Sequence, residues 1–176
     1  MTDEFLKYLA LELNRSPLTI EAYRRDLEQC ALFLGKSFAE ATLPDLRSWL
    51  ASLARSGDSP RTLRRKAQAL RSLFRWMRKR GIRPDNPAAD IVLAKPDRPL
   101  PTVARPDQLE RLIADGVPGP DPARSIRDTL IIELLYSCGL RQAELLSLTD
   151  ADIDTRAGRM RVRGKGRKVR VIPIPP

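Results

Sequence analysis

The chain of 176 residues carries 32 basic and 22 acidic side chains, a formal net charge of +10, and no histidine. It contains no apolar run near the roughly 20 residues of a membrane span, and its acidic start lacks the features of a signal peptide. We therefore expect a cytoplasmic protein that does not enter membranes. Two distant cysteines without histidine exclude a disulfide framework, a zinc site and Ser-His-Asp catalysis, so we predict no metal and no cofactor.

The positive charge is concentrated in two segments. Residues 61–84 hold ten basic side chains and residues 156–170 hold eight, with no acidic residue in either, whereas the remainder holds 14 basic and 22 acidic residues. Charge confined in this way favours a polyanionic partner, nucleic acid before an anionic membrane surface. Arginine outnumbers lysine 25 to 7, which fits bidentate phosphate binding and, equally well, a GC-rich genome.

Four amphipathic helices are predicted in residues 1–93. Ser16-Pro17 and Ser59-Pro60 carry the clearest start signals, because serine caps a helix and proline suits its first position. The apolar spacing places the helices at about residues 3–13, 17–34, 42–55 and 60–80.

The fourth predicted helix has two distinct faces. Leu63, Ala67, Leu70, Phe74 and Met77 recur at intervals of three and four, which predicts one packed face. Arginines and lysines occupy the opposite side. This row is typical of a nucleic-acid-binding helix; the alternative is a solvated basic face.

The second half of the chain follows a Pro-rich segment. We predict a linker at residues 94–105, because prolines recur there without periodicity. Short helices are expected at about residues 106–114 and 141–148, and a longer, more apolar helix at residues 121–138. Alternation in residues 160–163 and 168–171 around a Gly-Lys-Gly turn predicts a β-hairpin with a basic tip.

Several motifs resemble the tyrosine recombinase (phage-integrase) family. The segment LLYSCGLRQAEL at residues 134–145 is similar to the family's first-arginine box, and DID at 152–154, GKGRK at 164–168 and VIP at 171–173 follow in the family's order. The segment AYRRDL at 22–27 and NPA at 86–88 resemble the XerC/XerD-like branch. The resemblance extends over essentially the whole chain.

The resemblance implies a mainly α fold with a defined domain order. A four-helix core-binding (SAM-like) domain at residues 1–93 would precede the linker and the N-terminal part of an α+β catalytic domain at residues 106–176, which ends after the hairpin. It also implies a site-specific recombination function, in which a tyrosine attacks the scissile phosphate and forms a phosphotyrosyl link to DNA. In Xer members this reaction resolves chromosome dimers at cell division.

The resemblance assigns catalytic roles to two residues, and helical spacing adds a third residue that could orient the first. Arg141 matches the first arginine, which stabilises charge on the phosphate, and Lys165 matches the hairpin lysine, a general acid toward the leaving oxygen. Glu144 lies three residues after Arg141 and is expected to orient it. The alternatives are a solvated arginine, an ordinary turn lysine and an exposed i,i+3 pair.

The family's other catalytic residues have no counterpart in the sequence. There is no box with histidine and the second arginine, and Tyr8, Tyr23 and Tyr136 match core positions, not the nucleophile. We therefore expect a recombinase truncated at its C-terminus and inactive alone, so that whether this chain is an enzyme stays open.

The resemblance also implies that duplex DNA is the partner, possibly together with an intact recombinase on the same DNA. The predicted DNA contacts are the arginines of the second and fourth helices and of the hairpin: Arg24, Arg25, Arg61, Arg64, Arg65, Arg71, Arg75, Arg163 and Arg167. Most are expected to contact phosphates, which fixes the position of the protein on DNA but does not read the base sequence. Two alternatives are a catalytically inactive DNA-binding module that regulates an intact recombinase, and a basic helical protein that binds nucleic acids without sequence preference.

Overall fold

The computed structural model describes residues 1–93, 103–164 and 168–174. The chain divides into two compact units, Met1–Pro99 and Leu100–Pro176. The predicted linker at residues 94–105 falls mostly outside the described residues. Among the helices of the described ranges, none is both long and apolar enough to cross a bilayer.

The N-terminal unit consists of four helices, as the sequence predicts: α1 (Thr2–Leu11), α2 (Pro17–Leu34), α3 (Leu43–Arg55) and α4 (Pro60–Lys79). Both Ser-Pro signals are confirmed, because the hydroxyl of Ser16 accepts a hydrogen bond from the backbone N–H of Thr19 and that of Ser59 from Thr62. Gly35 ends α2 with a positive φ of 60°, a conformation that glycine adopts without a steric penalty.

The core of this unit lies around α4, which packs against α2 and α3. The predicted stripe of α4 is largely buried, but Ala69, Leu73 and Trp76 are buried as well. Trp76 contacts α1, because the centroids of the Trp76 and Phe5 rings are 5.8 Å apart. Since neighbours cover α4 on several sides, its packed surface is wider than the single face that periodicity predicts.

The second unit begins with α5 (Pro106–Asp115), α6 (Pro122–Ser137) and the single turn α7 (Gln142–Leu145). The last predicted helix is therefore shorter than residues 141–148. None of the residues of α6 is buried, and Tyr136, predicted to be a core residue, is 47% exposed. That prediction was wrong because no element of the described structure covers this face of α6.

A three-stranded antiparallel sheet follows, in the order β1 (Ile153–Asp154), β2 (Arg159–Arg163) and β3 (Val169–Pro173). The predicted hairpin is confirmed, with Met160 opposite Ile172 and Arg163 opposite Val169, whereas the short strand β1 was not predicted. Met160 and Val162 are buried. In β3, Val169 and Val171 are exposed and Arg170 is partly buried, so this arginine lies on the covered side of the sheet.

Candidate functional site

Glu144 is the centre of the ion-pair cluster in the second unit. Its side chain is only 4% exposed, although it is charged. Its Oε2 accepts the backbone N–H of Arg141 at 2.9 Å, and its Oε1 lies 2.8 Å from Arg141 Nη1. The predicted pairing of Glu144 with Arg141 is therefore present, and the alternative of an exposed i,i+3 pair does not describe a buried carboxylate. The orienting role in catalysis stays a prediction.

The main partner of Glu144 is an arginine that sequence reasoning missed. Arg170 Nη1 and Nη2 contact the two carboxylate oxygens at 2.7 and 2.8 Å, which is a bidentate pair. This guanidinium, with the Arg141 N–H, holds the pKa of Glu144 well below its usual range, and Glu144 in turn raises the pKa of Arg170. Its alternation with the apolar Val169 and Val171 would instead predict that Arg170 faces solvent.

One nitrogen of the Arg141 guanidinium pairs with Glu144, and the rest of the side chain is exposed to solvent. Its side chain is 73% exposed, and within the described residues only Glu144 pairs with its guanidinium. A guanidinium has five N–H donors, so several remain for a ligand. A buried carboxylate thus orients an exposed arginine, an arrangement suited to binding a phosphate oxygen.

The hairpin tip begins directly beside this cluster. The backbone N–H of Gly164 donates to the carbonyl of Lys168 at 2.8 Å and closes the tip. A Cβ at Gly164 would lie 3.3 Å from Glu144 Oε1 and 3.4 Å from Arg170 Nη1, so a side chain there would crowd the ion pair. Lys165 and Arg167 lie outside the described residues, and their predicted roles stay predictions.

The arginines predicted to contact DNA divide into two groups. One group has close partners within the protein: Arg24 with Glu21 and Glu28, Arg25 with Glu21, Arg65 with Asp26, and Arg71 with the carbonyls of Ala88 and Ile91. Arg163 has a longer ion pair with Asp152. Arg61 and Arg75 are exposed and have no partner among the described residues. Arg64 is exposed on α4, and Arg163 is 75% exposed with its Nη2 3.9 Å from Asp152 Oδ1. The DNA contacts themselves stay predictions.

The ion pair between Asp26 and Arg65 shows that some of these arginines have a structural role. The Asp26 carboxylate is 4% exposed and pairs with Arg65 from α4. Burial raises the pKa of Asp26, and the hydrogen bond from Arg65 lowers it. A buried carboxylate without this partner would be costly, so Arg65 is engaged in holding α4 against α2. Lys66, also from the basic segment, is buried and pairs with Asp58 at 2.9 Å.

Two family models match the chain, one in each unit. The model described as phage integrase, N-terminal SAM-like domain, matches residues 2–81. The model described as phage integrase family matches residues 102–175. Together they cover most of the chain.

Individual relatives agree with these models. Tyrosine recombinase XerC of Alcanivorax borkumensis is 42% identical over 97% of this chain and 55% of its own length. A Tn1549 transposon integrase in complex with transposon right end DNA is 25% identical, with a TM-score of 0.69 over 99% of this chain and 60% of its own. A lambda integrase dimer bound to a COC′ core site has a TM-score of 0.73 at 18% identity over 98% of this chain and 60% of its own. The chain thus spans 55–60% of the length of these relatives.

Proposed function

Because the chain belongs to the phage integrase family of tyrosine recombinases, we propose that it binds duplex DNA and contributes to site-specific strand exchange. The observation that carries this proposal is Arg141, an exposed guanidinium oriented by a buried carboxylate in the family's first-arginine box. In this role Arg141 binds a non-bridging oxygen of the scissile phosphate, where charge grows in the transition state. Lys165, which lies between β2 and β3 in the sequence, supplies the proton to the leaving oxygen.

The N-terminal unit supplies DNA affinity in this proposal. Arg61 and Arg75 on α4 have no internal partner among the described residues, so they bind phosphates without breaking an existing ion pair. The integrase of Tn1549, which shares the fold, is described in complex with DNA. We assign residues 1–93 to core binding, residues 94–105 to a linker and residues 106–176 to part of the catalytic domain, with an intact recombinase as the partner on DNA.

A salt titration tests the DNA-binding part. The affinity of the chain for duplex DNA is measured by fluorescence anisotropy between about 50 and 200 mM KCl, where each phosphate contact contributes about 0.9 to the slope of log K against log salt. The Arg61→Gln variant is expected to reduce the slope by about 1. An affinity that does not depend on salt would refute the proposal.

Competition separates specific from general binding. If unrelated duplexes displace a Xer-type recombination site as readily as they displace each other, the protein binds nucleic acids without specificity. Preferential retention of the recombination site supports a recombinase.

The Arg141→Lys variant is expected to keep duplex affinity within about twofold, because one contact among many changes while the charge is retained.

A further inference from the structure

A pocket of about 260 Å³ lies in the N-terminal unit between α1, α2 and α4. Its lining includes the aromatic and basic residues Tyr8, Arg15, Tyr23, Arg75, Trp76 and Lys79. All belong to one compact unit, so the pocket does not depend on how the two units are arranged. It is separate from the Glu144 cluster, and the roles discussed above use only Arg75 from it.

The lining is positively charged and rich in hydrogen-bond donors. Arg15, Arg75 and Lys79 contribute three cations, and no carboxylate lines the pocket. The nearby Glu12 does not line it, although its Oε2 lies 3.9 Å from Lys79 Nζ. The same ammonium lies 5.4 Å from the centre of the Tyr8 ring. The pocket is therefore suited to an anion.

Several donors in this pocket lack an acceptor. The hydroxyls of Tyr8 and Tyr23 make no hydrogen bond within the described part of the chain. Both side chains are half-buried at the pocket. Two hydroxyl donors beside three cations favour a ligand that only accepts hydrogen bonds.

The pocket lies on the same side of α4 as the exposed arginines Arg61 and Arg64. Gln68, Ser72, Arg75 and Lys79 line it at intervals of four, three and four residues, which places them along one side of the helix. Arg61 and Arg64 continue this side toward the start of α4. A strand of DNA that follows the row would pass the mouth of the pocket.

We infer that this pocket receives a backbone phosphate of duplex DNA, an inference that rests on the proposed function. The phosphodiester carries one negative charge and only acceptor oxygens, which matches the unpaired donors and the cations. The volume of about 260 Å³ is below the roughly 300–1,000 Å³ of pockets that enclose whole small ligands. It therefore suits a phosphate that belongs to a larger molecule. The Tyr23 hydroxyl donates to one of its oxygens, and Arg75 supplies the opposite charge.

The test separates the pocket from general electrostatic attraction. Duplex affinity of the full chain is measured by anisotropy as a function of salt for Tyr23→Phe and Arg75→Gln. Tyr23→Phe is expected to lower affinity about two- to tenfold at every salt concentration, because it removes one hydrogen bond and no charge. Arg75→Gln is expected to reduce the salt slope by about 0.9.

Two matched controls accompany these variants. Arg78→Gln makes the same charge change on the same helix, at an exposed residue without a partner in the described part of the chain and outside the pocket. It is expected to change affinity less than Arg75→Gln. Tyr136→Phe removes a hydroxyl in the other unit and is expected to leave affinity unchanged. Melting curves of all variants confirm that the N-terminal unit remains folded.

The outcomes distinguish this inference from the proposed function. If the unmodified chain binds duplex with a steep salt dependence but Tyr23→Phe binds equally well and the two arginine variants behave alike, the pocket assignment is wrong and DNA binding stands. If the unmodified chain does not bind duplex, both are wrong. Inorganic phosphate alone is titrated against tryptophan fluorescence. A saturable change that Arg75→Gln abolishes, without an effect of Tyr23→Phe on duplex binding, would assign the pocket to free phosphate and overturn the inference.

Discussion

Arg71 and Arg75 lie one turn apart on α4, and we predict that their replacement has opposite consequences. Arg71 Nε donates to the carbonyl of Ala88 at 3.2 Å, and its Nη2 donates to the carbonyl of Ile91. These bonds hold the chain after α4 against the helix. At about 1 kcal/mol for each partly buried bond, Arg71→Gln is expected to cost about 2 kcal/mol. Since about 4–8 °C are lost per kcal/mol in a unit of this size, its melting temperature should fall by about 10 °C.

Arg75 has no partner among the described residues and is exposed. Arg75→Gln should therefore change the free energy of unfolding by less than about 0.5 kcal/mol, while it lowers the salt slope of DNA binding by about 0.9. Arg71→Gln, measured below its melting temperature, should keep the slope of the unmodified chain. Thermal unfolding followed by circular dichroism and the anisotropy titration measure the two effects on the same samples.

The opposite result would refute this reasoning. Suppose that Arg71→Gln has the same melting temperature as the unmodified chain and reduces the salt slope as much as Arg75→Gln. The hydrogen bonds of Arg71 to the segment after α4 would then not stabilise the fold. The arginines of α4 would then act as one uniform DNA-binding row.

Further predictions concern the ion-pair cluster, a helix cap and the core. The pKa of Glu144 is held below its ordinary value of 4.5, so its contribution to stability is present above that pH and is lost as the pH falls through the lowered pKa. Arg170→Met should weaken this acid-dependent loss, because only the hydrogen bonds from Arg141 would still lower the pKa of Glu144. Melting curves collected on both sides of that pH would show the change; a variant with the same pH dependence would contradict it. Ser59→Ala should cost about 1 kcal/mol in urea denaturation, because it removes the cap of α4; Leu70→Ala, at a fully buried position, should cost about 2–5 kcal/mol in the same assay. An unchanged urea midpoint in either variant would count against the packing described for α4.

Local signals in the sequence determined most of the N-terminal unit. A Ser-Pro start depends only on neighbouring residues, since the Ser59 hydroxyl caps a backbone N–H three residues away. Apolar period and glycine ends likewise act within one helix. The hairpin followed from alternation in the same way, whereas the two-residue β1 was too short to show a pattern.

Only the tertiary structure decided what each charged side chain does. Arg65 meets Asp26 across 39 positions, and Arg170 meets Glu144 across 26. Whether an arginine contacts a buried carboxylate, a carbonyl or solvent depends on which distant segments pack beside it. The spacing of charges along one helix does not predict this packing. The sequence by itself therefore determined where positive charge is concentrated and which family's motifs the chain carries. Packing decided which arginines hold the fold together and which remain available for a phosphate.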